Sequence, residues 1–275
     1  MATPSLSASI VTFRPDPRLF ARSLASLAAA IAEARRAGEL GDAHLVVVDN
    51  GAAQDRAPIT AALAAWPHQA GTVEVVSGQG NVGYGRANNL ALARVRSDLH
   101  LIMNPDVELE PAALREALRA TRDHPEIGLV APAAYGDDGE LQYLCKRYPT
   151  LWVLFLRGFA PEFLRRRYAG AIHAYEMRDV IDDRFVPSVP LASGCFMLVR
   201  TALLVRVGGF DPRFFMYFED YDLSLRVGRE SQVAYVPAAR ITHHGGDAAR
   251  KGPRHVAWFM RSAWRFFARH GWKIA

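Results

Sequence analysis

The chain of 275 residues has little cysteine: it holds only Cys145 and Cys195, which form no Cys-x-x-Cys pair. This scarcity excludes a disulfide scaffold and a cysteine-based zinc site, and it favours a reducing compartment. Long apolar runs are also missing. The densest run, residues 151–156, ends at Arg157, whereas a membrane-spanning helix needs roughly 18 apolar residues. No basic stretch precedes an apolar one near Met1, so we expect no secretory signal and a cytoplasmic protein.

The composition is that of a globular protein, with 50% hydrophobic and 22% charged residues. It excludes a disordered chain and a collagen. The length allows one large α/β domain or two small ones. Because no linker or repeat divides the sequence, we expect one domain over residues 1–275. Its parts would be a first half over residues 1–106, a second half over residues 107–253 and a C-terminal helix over residues 254–275.

The net charge of +5 is unevenly distributed. From Arg240 onward the chain carries eight Lys or Arg residues but a single acid, Asp247. A local basic surface favours a polyanionic partner or a membrane surface over nucleic acid. Aromatic residues alternate with arginines along the predicted helix at 254–270. Two interpretations stay open: this helix lies in a membrane interface, or its aromatic side chains pack on the domain while its arginines face water.

Apolar runs alternate with helical patterns in the first half, and this alternation predicts an α/β fold with a mostly parallel central sheet covered by helices on both faces. The predicted strands are residues 9–12, 45–48, 73–76, 99–103, 128–131, 195–199 and 233–236. The predicted helices start at Pro17, Gly85, Pro111, Asp220 and Arg254, and residues 135–190 are expected to form loops and short helices.

Four polar motifs follow strands of the first half: Thr12, Asp49, the loop at 78–83 and Asp106. Ligands of parallel sheets bind at the carboxyl ends of the strands, so we expect these motifs to converge on one site. Asp49 by itself is equally compatible with an Asx turn. The segment Asn104-Pro105-Asp106 is compatible with a turn before a helix, or with Asp106 as an oxygen ligand of Mg²⁺ or Mn²⁺.

The glycine-rich loop from Gly78 to Gly83 matches G-x-G-x-x-G between a strand and a helix. A dinucleotide fingerprint would make the protein an NAD-dependent oxidoreductase. The loop follows the third predicted strand instead of the first, however, and Asp98 precedes its strand instead of ending it. We therefore favour a nucleotide-contacting loop of another kind. A protein that binds nucleotide or carbohydrate without catalysis is a further alternative.

Three acids lie beside aromatic residues at Glu219, Asp220 and Asp222. Apolar surroundings can desolvate a carboxylate and tune it as a general base. We expect this function for Asp220, and a solvated position at the start of a helix for Asp222. His243 and His244 come after a predicted strand. Adjacent side chains on an extended chain point in opposite directions, so at most one of the two histidines should face a given site.

These pieces together resemble the inverting family 2 glycosyltransferases with a GT-A fold, and especially their bacterial rhamnosyltransferase-like branch. The resemblance extends over roughly residues 8–250, in the order of the family. The matching segments are residues 10–13, 47–50, 81–85 with 88–89, 104–106, 193–197, 208–211, 214–223 and 243–246. The aromatic–Glu-Asp segment is the most specific of them.

The resemblance implies a nucleotide-sugar donor, such as dTDP-rhamnose or a UDP-sugar, held by the first half of the chain. The implied donor-binding residues are Thr12, Phe13, Asp49, Asn81, Tyr84, Asn88 and Asn104. It implies that Asp106 and His243 hold a divalent metal, Mg²⁺ or Mn²⁺. Asp220 would be the catalytic base with Glu219 beside it, and Gly194 would lie on the acceptor side.

The sequence departs from the family pattern at three places. Arg14 replaces an asparagine, Asn104 replaces the first acid of the DXD-like motif, and Asp247-Ala248 replaces a small hydroxyl residue. Arg250 and Lys251 are expected to add positive charge near the donor phosphates. The implied acceptor is a glycan or a polyprenyl-linked glycan of bacterial cell-surface polysaccharide synthesis. Enzymes of this kind act at the cytoplasmic face of the membrane, so the resemblance also implies peripheral membrane contact through the C-terminal helix.

Overall fold

The computed structural model describes residues 3–245 and 252–275. The expectations for Asp247, Ala248, Arg250 and Lys251 lie outside the described residues. Four parallel strands form the first half of the sheet, in the spatial order β3-β2-β1-β4. They are β1 (Leu6–Thr12), β2 (Ala43–Asp49), β3 (Thr72–Ser77) and β4 (Leu99–Met103).

The second half extends the same sheet with strands of mixed direction. They are β5 (Val107–Leu109), β6 (Ile127–Tyr135), β7 (Leu141–Gln142), β8 (Phe196–Arg200) and β9 (Gln232–His243). Strand β8 lies antiparallel between β4 and β6, β9 lies parallel to β6, and β5 and β7 pair antiparallel with β9 and β6. The sheet is therefore continuous from the first half of the chain into the second.

Helices cover both faces of the sheet. They are α1 (Pro17–Arg36), α2 (Ala57–Ala64), α3 (Tyr84–Leu92), α4 (Ala113–Asp123), α5 (Leu151–Gly158), α6 (Glu162–Arg167), α7 (Ala169–Tyr175), α8 (Thr201–Arg206), α9 (Glu219–Val227) and α10 (Pro253–His270). The Asp16 carboxylate accepts hydrogen bonds from two backbone N–H groups in the first turn of α1 and so caps that helix.

The alternation of side chains along β1 and β2 explains the two-sided core. Ile10 and Val47 pack in the cluster that contains α1 and α4, while Val11 and Val48 pack against α3. The sequence predicts strands that are buried on both faces, and this holds for β1 and β2. It does not hold for β3, where Val73 and Val75 are exposed. This strand lies at the edge of the sheet, so one of its faces stays open to solvent.

Three expectations from the sequence are wrong in detail. A short strand, β5, lies between Asp106 and the helix α4, which begins at Ala113 instead of Pro111. Strand β9 is longer than expected, so His243 is its last residue and does not follow it. The reason is pairing: β5 hydrogen-bonds to the end of β9, with Val107 opposite His243.

The expectation of a solvated Asp222 is also wrong, because its side chain is 0% exposed. Its carboxylate accepts from Arg226 Nε at 2.8 Å, forms an ion pair with Arg269 at 3.0 Å and hydrogen-bonds to His270 Nε2 at 2.8 Å. Two of these partners belong to α10. A buried carboxylate requires such compensation, so Asp222 fixes the C-terminal helix to the start of α9.

Most of the apolar face of α10 packs on the domain. Phe266 and Phe267 are buried, and Phe218 contacts the rings of Phe259 and Phe266, each with a centroid distance of 5.2 Å. Trp264 remains exposed. Of the two interpretations of this helix, packing on the domain is confirmed for its aromatic face. Within residues 3–245 and 252–275, every helix is too short or too polar to cross a bilayer.

Candidate active site

The start of β8 lies beside the end of β4, so the segment at Gly194-Cys195 is next to the segment at residues 104–106. Met103 lies opposite Phe196, and the Asn104 N–H donates to the Cys195 carbonyl oxygen at 2.9 Å. Burial, together with the charges of Asp106 and Asp220, raises the pKa of the Cys195 thiol to about 12. Both carboxylates therefore lie within electrostatic range of one buried thiol, although the chain separates them by more than a hundred residues.

Asp220 is held by the backbone on both of its carboxylate oxygens. Its Oδ2 accepts from the Gly194 N–H and its Oδ1 accepts from the Tyr221 N–H, both at 2.9 Å. Burial raises the pKa of Asp220 above its usual value, although these N–H donors oppose the shift. Such a carboxylate is oriented and basic, and these are the requirements for a general base.

Glu219 lies in a drier environment than its neighbour. Its side chain is 6% exposed, and its Oε2 has no hydrogen-bond partner in the part of the chain that the structure describes. Burial, and then the charge of Asp220, raise the pKa of Glu219 to about 8. The pair therefore loses its first proton at Asp220, the carboxylate that the backbone N–H groups stabilise, and Glu219 keeps its proton to higher pH.

The backbone before α9 is strained. Tyr217 and Phe218 adopt left-handed conformations with φ of 69° and 65°, which is unusual for aromatic residues. The Tyr217 hydroxyl hydrogen-bonds to His255 Nδ1 at 2.7 Å, and Phe218 packs against α10. Each such residue costs about 1–3 kcal/mol, so the packing of α10 maintains the turn that places Glu219 and Asp220.

Tyr84, which directly follows the glycine loop, connects this loop to Gly194 and to the segment before α9. Its N–H donates to the Phe215 carbonyl oxygen at 3.0 Å, and its hydroxyl donates to the Gly194 carbonyl oxygen at 2.6 Å. A side chain at Gly83 would put its Cβ 2.4 Å from that same Phe215 oxygen. Gly83 is therefore required for close approach, and the loop lies against the segment that leads to Asp220.

Asp106 and His243 meet because β5 pairs with the end of β9. His243 Nε2 lies 3.8 Å from Asp106 Oδ1. A Cβ at Gly245 would lie 2.4 Å from Asp106 Oδ2 and 3.3 Å from His243 Nε2, so a glycine is needed beside the pair. The resemblance to family 2 glycosyltransferases implied this pair, and the structure brings its two members together.

Gln142, which the sequence gave no reason to select, orients His243. Its Oε1 lies 3.0 Å from His243 Nδ1, and its Nε2 donates to the His243 carbonyl oxygen at 3.1 Å. This double contact fixes the amide so that Nδ1 carries the proton, and the lone pair then lies on Nε2, the nitrogen on the Asp106 side. Second partners of this kind are typical of metal-binding histidines.

The Asp106–His243 pair fits a divalent cation that is also bound by a substrate. Asp106 Oδ1 is buried and has no hydrogen-bond partner among the described residues. A carboxylate and an imidazole are acceptable ligands for Mn²⁺, and Mg²⁺ commonly uses few protein ligands together with phosphate oxygens. No cluster of three or more His, Cys, Asp or Glu suited to a metal occurs within residues 3–245 and 252–275.

His244 belongs to a different environment from its neighbour. Its Nε2 contacts Glu108 Oε1 at 2.7 Å, and its Nδ1 contacts Asp137. The two adjacent imidazoles therefore contact different carboxylates, Asp106 for His243 and Glu108 with Asp137 for His244.

The expected nucleotide end forms at the carboxyl ends of β1, β2 and β3. Thr12 lies opposite Asp49 in the strand register, and Ser77 lies opposite Asp49 on the other side. Gln79 in the glycine loop donates to the Asp49 carbonyl oxygen at 2.9 Å. Thr12, Asp49 and the loop are thus brought together, and the exposed ring of Phe13 borders them.

The amide and carboxylate side chains here already have partners within the chain. Asp49 accepts from the Gly51 N–H at 2.8 Å, as in an Asx turn, and from Arg56 at 3.2 Å. Asn88 accepts from the Ser9 hydroxyl at 2.7 Å and donates to the Tyr84 carbonyl oxygen at 3.2 Å. These contacts favour a positioning function for both, and direct donor contacts stay a prediction.

Two further residues define the edge of this region. Asn81 accepts from the Gly83 N–H at 3.1 Å and so shapes the loop. Arg14, which departs from the family pattern, pairs with Asp55 at 2.9 Å and lies 5.8 Å from the ring centroid of Phe13. Arg14 thus adds a cation at the exposed side of the expected base-binding region.

Comparison with known proteins identifies one family model and several related sequences. Residues 10–205 match the family model for glycosyl transferase family 2. The chain is 30% identical to N-acetylglucosaminyl-diphospho-decaprenol L-rhamnosyltransferase of Mycobacterium tuberculosis, over 98% of this chain and 87% of that protein. It is 28% identical to rhamnosyltransferase WbbL of Escherichia coli, over 74% of this chain and 75% of that protein.

Solved structures show the same fold at low sequence identity. The crystal structure of GalNAc-T7 with UDP, GalNAc and Mn²⁺ matches with a TM-score of 0.65 and 12% identity, over 97% of this chain and 48% of the other. The mannosyltransferase PcManGT of Pyrobaculum calidifontis, in complex with GDP-Man and Mn²⁺, matches with a TM-score of 0.60 and 17% identity, over 97% of this chain and 64% of the other. With the site geometry and the family match, these findings show that the chain is a GT-A-fold enzyme that belongs to glycosyltransferase family 2.

Proposed function

We propose that the protein is an inverting, metal-dependent rhamnosyltransferase. It transfers L-rhamnose from dTDP-rhamnose to a lipid-linked glycan acceptor in bacterial cell-surface polysaccharide synthesis. The observation that carries the proposal is the placement of Asp106 and Asp220 around the start of β8, one with an unpartnered buried oxygen and the other held as a base. The identity of 30% to the mycobacterial rhamnosyltransferase supports the choice of sugar and acceptor.

Asp106 and His243 would hold the divalent cation, with Gln142 orienting the imidazole. When bound, such a cation supplies Lewis-acid stabilisation of the charge that develops on the departing diphosphate. The remaining donor contacts fall to Thr12 and Phe13 at the base and ribose, and to the glycine loop and Asn104 nearer the sugar. Asn81, Asn88 and Asp49 shape this surface.

Asp220 takes the proton of the acceptor hydroxyl as that oxygen forms a bond to the anomeric carbon and the bond to the diphosphate breaks. One displacement of this kind inverts the anomeric centre. General-base assistance is typically worth ~10²–10⁴-fold in rate. Gly194 packs closely on Asp220, since a Cβ there would lie only 3.2 Å from the Asp220 Cβ. We assign the acceptor to this side of the site because the Gly194 N–H also holds the Asp220 carboxylate.

A nucleotide panel tests the donor and the metal together. We expect dTDP, more than UDP or GDP, to raise the melting temperature, and only when Mn²⁺ or Mg²⁺ is present, because the Asp106–His243 pair binds the phosphates through a cation. NAD should have no effect, since the loop at 78–83 follows an edge strand. Stabilisation by NAD, or by nucleotides equally well in EDTA, would contradict the proposal.

We further propose peripheral contact with a membrane, on a surface that differs from the one expected. Most aromatic residues of α10 are covered, whereas a second apolar surface is exposed. It consists of Leu151, Phe155, Phe159, Phe163, Trp272 and Ile274. The N–H groups of Leu151 and Trp152 donate to the carbonyl oxygens of Lys273 and Ile274 at 2.9 and 3.1 Å, so the two segments form one surface.

Arg165, Arg166 and Arg167 border this apolar surface. Apolar side chains flanked by cations are typical of interfacial binding to anionic lipids.

Vesicle binding tests this surface without disturbing α10, whose deletion would expose Asp222. The double variant F159S/F163S should lose most of its sedimentation with phosphatidylglycerol vesicles, because it removes two exposed rings. The matched variant V75S/V205S, which removes two exposed apolar side chains elsewhere, should bind like the unmodified protein. Equal binding by both variants would contradict the proposal.

A further inference from the structure

Four arginines surround a surface pocket of about 300 Å³ between α3, the segment before α9 and α10. We call it the arginine pocket. Its lining consists of Arg86, Arg213, Arg261 and Arg265 together with Pro212, Phe215, Trp258 and Ser262. None of the residues assigned above to the metal or to catalysis lines it. Three separate parts of the chain therefore contribute cations to a single concave surface.

The backbone of the segment before α9 holds these guanidinium groups in place. Arg86 Nε donates to the Pro212 carbonyl oxygen at 2.6 Å, and Arg265 donates to the Arg213 carbonyl oxygen. Arg213 pairs with Asp211 at 2.6 Å. In the described part of the chain, Arg86, Arg261 and Arg265 have no carboxylate within 4 Å. The pocket thus keeps an excess of positive charge.

Like charges at short range oppose one another, and the guanidinium groups of the arginine pocket are close enough for this to matter. Burial, and then the charges of Arg261, Arg213 and Arg86, lower the pKa of Arg265. A cluster of this kind destabilises the free protein unless an anion neutralises it. Arginine forks bind carboxylate and phosphate oxygens in a bidentate manner, and four arginines on one concave surface suit the higher charge of a phosphate-bearing group.

The pocket also has an apolar wall and lies beside the catalytic residues. Phe215 and Trp258 pack with a centroid distance of 4.7 Å. The Phe215 carbonyl oxygen accepts from the Tyr84 N–H, and Tyr84 in turn contacts Gly194 next to Asp220. A ligand in the pocket would therefore be close to the acceptor side of the site without touching the Asp106–His243 pair.

We propose that the arginine pocket binds a phosphate-bearing group other than the donor diphosphate that the metal holds. The matching chemistry is a mono- or diphosphate ester, which two sources can present: the diphosphate of a lipid-linked acceptor or the headgroup of an anionic lipid. The existence of the site follows from the four arginines alone. Only the assignment to an acceptor rests on the proposed function.

Binding of inorganic pyrophosphate in EDTA tests the site directly. Calorimetry on the double variant R261A/R265A should show at least a tenfold loss of affinity relative to the unmodified protein. The matched variant R184A/R206A, which removes two exposed arginines outside the pocket, should lose less than twofold, and so should D106A. Equal affinity in R261A/R265A, or an equal loss in R184A/R206A, would overturn the site. Melting temperatures confirm that each variant is folded.

Kinetics and vesicle binding then distinguish the two sources. If the pocket binds the acceptor, R261A/R265A raises KM for a diphosphate-linked acceptor at least tenfold and leaves KM unchanged for a glycoside without phosphate. If it binds a headgroup, both KM values stay and binding to phosphatidylglycerol vesicles falls. A change confined to the donor KM would overturn the proposal, because the pocket would then belong to the donor site. Loss of pyrophosphate binding in a protein without transferase activity would support the pocket and contradict only the proposed function.

Discussion

Replacing Asp220 by asparagine should reduce the rate of transfer by ~10²–10⁴-fold, because the amide cannot take the proton of the acceptor hydroxyl. Donor binding should stay within about twofold, since Asp220 contacts neither the Asp106–His243 pair nor the glycine loop directly in this structure. The expected split is therefore a collapse of kcat with an unchanged dissociation constant for the nucleotide. Pre-steady-state transfer and nucleotide calorimetry measure the two quantities separately.

Glu219 provides the matched control for Asp220. Its pKa of about 8 keeps it protonated at neutral pH, and glutamine resembles a protonated glutamate. E219Q should therefore retain transfer within severalfold at pH 7, although the substitution lies next to the catalytic position. A loss as large as that of D220N would assign the base function to the pair and contradict our assignment to Asp220 alone.

The pH profile gives the same assignment an independent readout. Burial raises the pKa of Asp220, so the active, ionised form should disappear as the pH falls through a value above that of a free aspartate, ~3.9. Above pH 8 Glu219 ionises beside it, and the rate should change there in the unmodified enzyme but not in E219Q. A profile that is flat from pH 4 to pH 9 would contradict both statements.

Replacing Asp106 by alanine should abolish the dependence of nucleotide binding on Mn²⁺. A metal ion that polarises phosphate contributes several kcal/mol of charge stabilisation, and ~1.4 kcal/mol corresponds to a tenfold change. We therefore expect the Mn²⁺-dependent affinity for dTDP to fall at least ~100-fold. Transfer should fall at least as much, because the leaving diphosphate then lacks its counter-charge.

Asp137 supplies the control for Asp106. It is an exposed acid that pairs with His244 instead of His243, so D137A removes a similar charge from a neighbouring position. Its Mn²⁺-dependent nucleotide affinity should be unchanged. The Mn²⁺-dependent nucleotide affinity of Q142A should lie between those of D106A and D137A. Second partners of metal-binding histidines typically contribute 10–100-fold in affinity. Mn²⁺-dependent binding that survives in D106A would reject this metal site.

The parallel half of the sheet could be predicted because a local sequence pattern marks each of its strands. The run before Asp49 is apolar on both faces, and Asp16-Pro17 marks the start of a helix, so neither depends on distant residues. The placement of Thr12, Asp49 and Asp106 at one edge then follows from the geometry of parallel strands. Local patterns thus specified the strand ends at which we expect the nucleotide to bind.

The features that the sequence did not predict all depend on pairing over long distances. Strand β5 has three residues, too few for any periodicity, and it exists because it hydrogen-bonds to the end of β9. Asp222 was expected in solvent because its partners, Arg269 and His270, lie more than forty residues away in the sequence. Gln142 carries no motif at all, and only the fold brings it to His243.

The central claim is that Asp106 holds a cation on one side of the sugar, while Asp220 lies on the other side as the general base. Crystals of D220N grown with Mn²⁺ and dTDP-rhamnose test it through the anomalous scattering of manganese. We predict one anomalous peak bound by Asp106, His243 and the diphosphate, with the anomeric carbon of the sugar facing residue 220. A peak away from Asp106, or a sugar whose anomeric carbon faces away from residue 220, would contradict the account.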